Sequence, residues 1–293
     1  MMANDPWPLR NRLVGCLIIL LGVGMPCPLS EGAEMKRPRE SATFAQYGWK
    51  ESPFENHEQS RSPDGSKVAF WSRPGRFGEK TDYLLSVSNV DRTAQEVLLN
   101  NVPWGEWVAF SKDGEKLAFG ATLDRGAVSS YPFHLLLASK LLSLFVMDLQ
   151  TKKLQELVRG NVSPLNYSDQ IWSSDSSAVL YVTCDGDIRI LSFIDGNSRS
   201  IAQGEHATWS PTDDLIAFQG SDKHYYVIKP DGTEKRLILR NKPRVFGEFH
   251  GPLLWSPTGQ HLAVQKQRLS LAEISDDYVL DIRTRRLTKI RPN

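Results

Sequence analysis

Any chemistry in this chain has to come from its imidazoles, carboxylates and hydroxyls. Six His are present, at 57, 134, 206, 224, 250 and 261. Three of them, His57, His206 and His250, lie four, three and five residues before Arg61, Trp209 and Trp255, each of which opens a recurring phrase. Imidazoles at similar offsets in separate repeats can converge on one ion, so these three form a candidate binding set for a metal or ligand. The acidic pairs Asp185-Gly-Asp187, Asp213-Asp214 and Asp276-Asp277 do not fit a twelve-residue EF-hand loop and read as turn residues. Nucleophilic hydrolysis needs a Ser on a strained Gly-x-Ser-x-Gly elbow, and that pentapeptide does not occur. Neither a catalytic residue nor a cofactor is expected.

The phrase that would position these groups is written five times. It runs Arg61-Ser-Pro-Asp-Gly-Ser-Lys-Val-Ala-Phe70, then Phe110 to Phe119, Trp172 to Tyr181, Trp209 to Phe218 and Trp255 to Val264. Each copy has an anchor, a Ser, a polar turn and a short apolar run. Pro presets the first turn position, Asp bonds its own backbone, and Gly accepts positive φ. The anchors at 61, 110, 172, 209 and 255 are spaced by 49, 62, 37 and 46 residues. Units of roughly 40–50 residues are four-stranded propeller blades. The longest interval is a blade with an insertion, and the shortest is a compact blade.

The apolar runs Lys67–Phe70, Lys116–Phe119, Ala178–Val182, Leu215–Phe218 and His261–Val264 are the expected second strands. Third strands are expected at Tyr83–Val90, Ser143–Leu149, Asp187–Phe193, His224–Ile228 and Tyr278–Ile282, and fourth strands at Gln95–Leu99, Leu154–Val158, Ser198–Ala202, Glu234–Leu239 and Arg286–Ile290. The fold class is therefore all-β, a β-propeller with five recognisable repeats. Thr43–Tyr47 is a candidate strand of a sixth. Phe110, Trp172, Trp209 and Trp255 are the structural anchors, expected to be buried between blades.

The phrase Trp-Ser-Pro-x-Gly followed by a Leu-Ala-Phe-type strand resembles the WD40-like repeat of the TolB β-propeller family. It is also similar to the propeller domains of dipeptidyl-peptidase and prolyl-oligopeptidase enzymes and of some polysaccharide lyases. The resemblance covers about residues 57–290 and implies a propeller fold. TolB proteins carry an α/β domain before a six-bladed propeller, and residues 34–56 are too few to form one. By resemblance to the lyases, His57, His206 and His250 would serve a channel-end metal site.

Composition narrows the class further. With 40% hydrophobic and 10% aromatic residues the chain is an ordinary globular β protein, and a net charge of +1 gives no footprint for nucleic acid. Arg10 and Arg12 precede the eleven-residue apolar run Leu13–Val23, and small residues follow to Ala33. That order reads as a cleaved export signal over residues 1–32, with a membrane anchor as the alternative. A span of ~20 apolar residues would need a longer run. The expected organisation is a signal at 1–32, an N-terminal segment at 33–56 and the propeller at 57–293. Cleavage would remove Cys16 and Cys27 and leave Cys184, which reads as a small buried hydrophobe.

Two surface features remain. The second-blade insertion Thr122–Leu142 contains Tyr131, Phe133, Leu136 and Leu137 where a hairpin needs only a few polar residues. Exposed on a propeller face, it would suit a partner or a lipid; folded back, it would cover the propeller. Lys235, Arg236, Arg240, Lys242 and Arg244, with Arg283, Arg285, Arg286, Lys289 and Arg291, supply a basic rim for anionic polymers or headgroups, or simply a solvated edge. The resulting expectation is an exported monomer acting as a binding or scaffold module in the periplasm or cell envelope. Its partner would be an envelope protein or polymer, with peripheral membrane contact possible. A channel-site metal enzyme such as a polysaccharide lyase is the alternative, and an orphan peptidase-type propeller a third reading.

Overall fold

The computed structural model describes residues 43–49, 52–53, 59–73, 82–124, 142–163, 170–212, 214–241, 249–267 and 275–290, save the side chains of His250 and Ser275. One 3-10 helix, Phe44–Tyr47, precedes the strands β1 (Gln59–Arg61), β2 (Lys67–Ser72), β3 (Tyr83–Asn89), β4 (Gln95–Val102), β5 (Trp104–Phe110), β6 (Lys116–Thr122), β7 (Ser143–Asp148), β8 (Leu154–Val158), β9 (Ala178–Val182), β10 (Asp187–Ser192), β11 (Ser198–Trp209), β12 (Ile216–Gly220), β13 (Tyr225–Ile228), β14 (Arg236–Leu239), β15 (Phe249–Trp255), β16 (His261–Gln267), β17 (Ser275–Asp281) and β18 (Leu287–Lys289).

These strands form an antiparallel propeller. Three sheets are simple meanders, β1–β4, β5–β8 and β15–β18. The fourth sheet, β9–β14, has six strands because two blades share β11. Its first half pairs with β10 and its second half with β12. Trp172 bridges Val179 and Val162 bridges Thr183 along the inner edge of β9, so the third blade's innermost strand is described in two pieces, 161–163 and 170–172. Among the described residues five blades result, matching the five phrases. Thr43–Tyr47 is not a strand of a sixth: Phe44–Tyr47 is a 3-10 turn, closed by Gly48 in the left-handed conformation at φ 92°.

The phrase now has a physical reading. The Ser after the anchor spans its turn in the first, second, third and fifth copies. Ser62, Ser111 and Ser173 donate to Asp64, Asp113 and Asp175 at 2.5, 2.5 and 2.6 Å, and accept the backbone N–H of Lys67, Lys116 and Ala178 at 2.9 Å. Ser256 accepts His261 N–H in the same way at 3.1 Å. Gly65, Gly114 and Gly259 turn the chain at φ 68–75°, and in the third copy, which lacks Gly, Ser176 takes that place at φ 58°.

The anchors lie where the repeat requires. Trp172 and Trp255 are fully buried, and Phe110 and Trp209 nearly so. The Trp172 indole N–H donates to Ala109 C=O in the second blade at 3.1 Å, and Trp255 repeats this towards Thr208 in the fourth at 3.2 Å. Each thus bonds the residue just before the preceding blade's own anchor. Three apolar clusters fill the spaces between blades one and two, two to four, and four and five. One acidic pair and half of another depart from the turn reading, while Asp185 keeps its turn. Asp276 and Asp277 lie within β17, bonded to Lys289 at 2.9 Å and Gln265 at 3.0 Å. Asp187 opens β10 and is paired with Arg189 at 2.7 Å.

Candidate binding face at the loop end

Antiparallel pairing gives each blade two unlike ends. The Ser-x-Asp turns share one end with the hairpins joining third and fourth strands, as in Val90 N–H to Ser66 C=O and Leu149 N–H to Glu115 C=O. That end is closed tightly by aspartates. Asp64 and Asp175 are held down to about 2, first by the hydroxyls of Ser62 and Ser173. Asp91, Asp148, Asp195, Asp231 and Asp281 are likewise lowered by donors within their own turns. With their acceptors engaged, these carboxylates shape turns.

At the other end the second strand passes to the third, and the fourth to the next blade. Here the inner strands bulge at one repeated place: between Gly105 and Val108, between Glu205 and Thr208, and between His250 and Leu254. A bulge re-aims side chains at a sheet's end. His206 sits in the second bulge with φ 54°. Neighbouring Glu205 is paired with Lys223, whose C=O accepts the Gln219 side chain at 3.1 Å. Tyr226 O–H donates to Asp222 at 2.5 Å, which lowers the Asp222 carboxyl and raises the Tyr226 phenol. The Lys235 ammonium lies 4.3 Å from the Tyr226 ring centroid.

Between the first and second blades this end carries an aromatic step. Trp71 meets Tyr83 edge to face at 6.4 Å, and Tyr83 meets Trp104 at 5.4 Å. The Arg73 guanidinium stands 5.4 Å from the Tyr83 centroid, and the Trp104 indole N–H donates to Glu106 Oε2 at 2.7 Å. Trp71 is seated on Gly105, where a Cβ would come within 2.4 Å of the indole. All three rings are partly exposed, and exposed Leu123 follows β6 at the same end. The arrangement offers apolar ring surface flanked by a cation and a carboxylate, which suits recognition. Nothing in the sequence marked Trp71, Tyr83 and Trp104 as a group, because they come from three strands of two blades.

Of the expected site residues, His206 is placed on the bulge and His250 has its backbone at the start of the equivalent bulge. His57, Tyr131, Phe133, Leu136 and Leu137 lie outside the described residues, as do Lys242, Arg244 and Arg291. The insertion's flanks, Thr122 and Ser143, stand at the loop end. Among the described residues no three His, Cys, Asp or Glu side chains form a metal-binding group. Half-buried Cys184 lies 3.5 Å from Val162 C=O. The basic rim is partly consumed: Arg236 donates to Ile282 C=O at 3.0 Å, joining blades four and five.

Structural comparison identifies the architecture. The chain is similar to TolB from Acinetobacter baumannii at 15% identity and a TM-score of 0.57, over 80% of this chain and 54% of that one. The fold is a TolB-like β-propeller. It is also similar to an oligogalacturonate lyase in complex with manganese, at 17% identity and TM-score 0.52, over 80% of this chain and 64% of that one. A puromycin-hydrolyzing peptidase from Mycobacterium tuberculosis matches at 12% identity and TM-score 0.57, over 80% and 38%. The chain thus spans about half the length of that TolB and less than two thirds of the lyase. No protein-family model matches the chain, and no curated sequence matches it. This TolB-like propeller shares its scaffold with TolB, with a lyase and with a peptidase.

Proposed function

We propose that this propeller is an exported, non-catalytic binding module of the periplasm or cell envelope, and that its contact surface is the loop end. The observation that carries this reading is the Arg73–Tyr83–Trp104–Glu106 group. Partly exposed aromatic rings held by neighbouring charges are typical anchors of interfaces. The opposite end consists of tight turns whose aspartates are already bonded. Among the described residues no helix is long and apolar enough to cross a membrane.

The reading is tested by placing a photo-activated cross-linker at Leu123, on the loop end, or at Ile194, which is 85% exposed on the turn end. Adducts with an envelope component at Leu123, diminished by Trp104→Ala, support the loop end. Adducts only at Ile194, or equally at both, overturn it. Release of unsaturated product from oligogalacturonate in the presence of manganese would replace it with the enzyme alternative.

A further inference from the structure

Among the described residues, the faces between blades are closed by neighbouring blades, except at the two ends of the five-blade series. Successive turns nest. A Cβ on Gly114 in blade two would meet Pro63 of blade one at 3.4 Å, and a Cβ on Gly259 in blade five would collide with Thr212 of blade four. If blade one closed on blade five in the same way, Gly65 would nest on Pro257 and Thr258. Instead a Cβ on Gly65 meets nothing within 4 Å, and the residue against Pro257 and Thr258 is Gly48, at 3.8 and 3.7 Å. Segment 43–49 thus holds the contact that a next blade would make.

The segment is attached through its rings. Trp49 is 9% exposed and clusters with Leu254, Ala263, Val279 and Ile290 on the far face of blade five, with Phe44 and Tyr47 packed alongside. Phe44 meets Trp49 edge to face at 5.6 Å, and Tyr47 meets His261 at 4.9 Å. Its backbone bonds from Gln46 N–H to Thr43 C=O and from Gly48 N–H to Ala45 C=O are made within itself. The far face of blade one is capped by its own side chains: Arg92 lies 3.9 Å over the Phe70 ring and bonds Gln59 at 2.7 Å, while Gln95 bonds Ser86 at 3.0 Å.

We propose that the far face of blade five is a peptide-binding groove, which the chain fills with its own Phe44-Ala-Gln-Tyr-Gly-Trp49. Its ligand class is a short peptide with aromatic residues at the first, fourth and sixth positions and Gly at the fifth. The aromatic residues fill the apolar face, and Gly supplies the left-handed φ of 92° at which the backbone turns over Pro257. The groove is distinct from the loop-end surface, and its test does not depend on that surface.

The test uses the full chain carrying Phe44→Ala and Trp49→Ala, with a synthetic peptide of residues 43–50 as probe in calorimetric titration. The variant should keep wild-type far-ultraviolet circular dichroism and bind the peptide. The wild-type chain should bind it at least about tenfold more weakly, since a groove free one tenth of the time raises the apparent constant by that factor. A peptide in which Ala replaces Trp49 should not bind. A folded variant that ignores the peptide, or equal binding by variant and wild type, overturns the proposal. Hydrogen exchange of the wild type decides the matter if the variant does not fold. Gln46 and Gly48 amides exchanging ahead of the β16–β17 ladder support a detachable segment, and exchange only together with that ladder overturns it.

Discussion

The side-chain amide of Gln170 pairs with both backbone groups of Trp255: Oε1 accepts the Trp255 N–H at 2.8 Å and Nε2 donates to its C=O at 3.1 Å. The partners are 85 residues apart, in blades three and five. The Gln170 C=O meanwhile accepts Trp209 N–H of blade four at 2.6 Å. An inner strand has a β-partner on one edge only, so the other edge must find acceptors elsewhere. Here one residue serves two blades. Gln170→Leu should leave the groups of fully buried Trp255 unpaired and cost about 2–4 kcal/mol. Urea denaturation measures this, and a loss below about 1 kcal/mol would show the amide to be dispensable.

The anchors carry a second test. Trp255→Phe keeps an aromatic ring between the blades but removes the bond to Thr208 C=O. It should cost about 1–2 kcal/mol, against about 3–5 kcal/mol for Trp255→Ala. Equal losses in the two variants would mean that the ring itself contributes little.

Acid should loosen the turns in a defined window. The carboxyls of Asp64 and Asp175 stand at about 2 in the folded chain, against an ordinary value of 3.8. The folded state therefore favours the ionised form. Their contribution is fully present above about pH 4 and is lost as pH falls through 3.8 towards 2. Thermal unfolding of the Asp64→Asn/Asp175→Asn variant should be lower than wild type at pH 5 and converge with it near pH 2. Parallel curves over that range would contradict the assignment.

Arg285 occupies a left-handed position, φ 62°, in the last hairpin, where its N–H bonds Asp281 C=O at 2.8 Å. A side chain there costs about 1–2 kcal/mol, partly offset by the extra chain entropy of Gly. Arg285→Gly should therefore stabilise the protein by about 0.5–1 kcal/mol in chemical denaturation. No change, or a loss, would show that the exposed arginine makes a contact of its own.

Much of the architecture is legible in the sequence because it is local. Leu154–Val158 and Ala178–Val182 fall where the apolar runs place them, and the Ser after each anchor persists because its partners lie two and five residues away. What depends on distant chain is not legible. The Gln170 side chain, the role of the indole N–H groups and the aromatic step at Trp104 all join residues from different blades. The Asp276-Asp277 pair looks like a turn because both residues disfavour strands, yet cross-strand partners hold them in β17. Thr43–Tyr47 looks strand-like by composition, but its rings settle on blade five in a single 3-10 turn. The surface residues proposed from sequence rested on loop length and offset, and neither measures where a side chain points.

Strand β11 runs for twelve residues from the rim of one blade to the axis side of the next. The strand bends on the way, at the bulge between Glu205 and Thr208 where His206 takes φ 54°. A force applied at Ser198 reaches Trp209 through a single strand backbone, with that bulge as a compliant point. Blades three and four are thus coupled through one strand, whereas blades four and five are bonded through side chains, from Trp255 to Thr208 C=O and from Arg236 to Ile282 C=O.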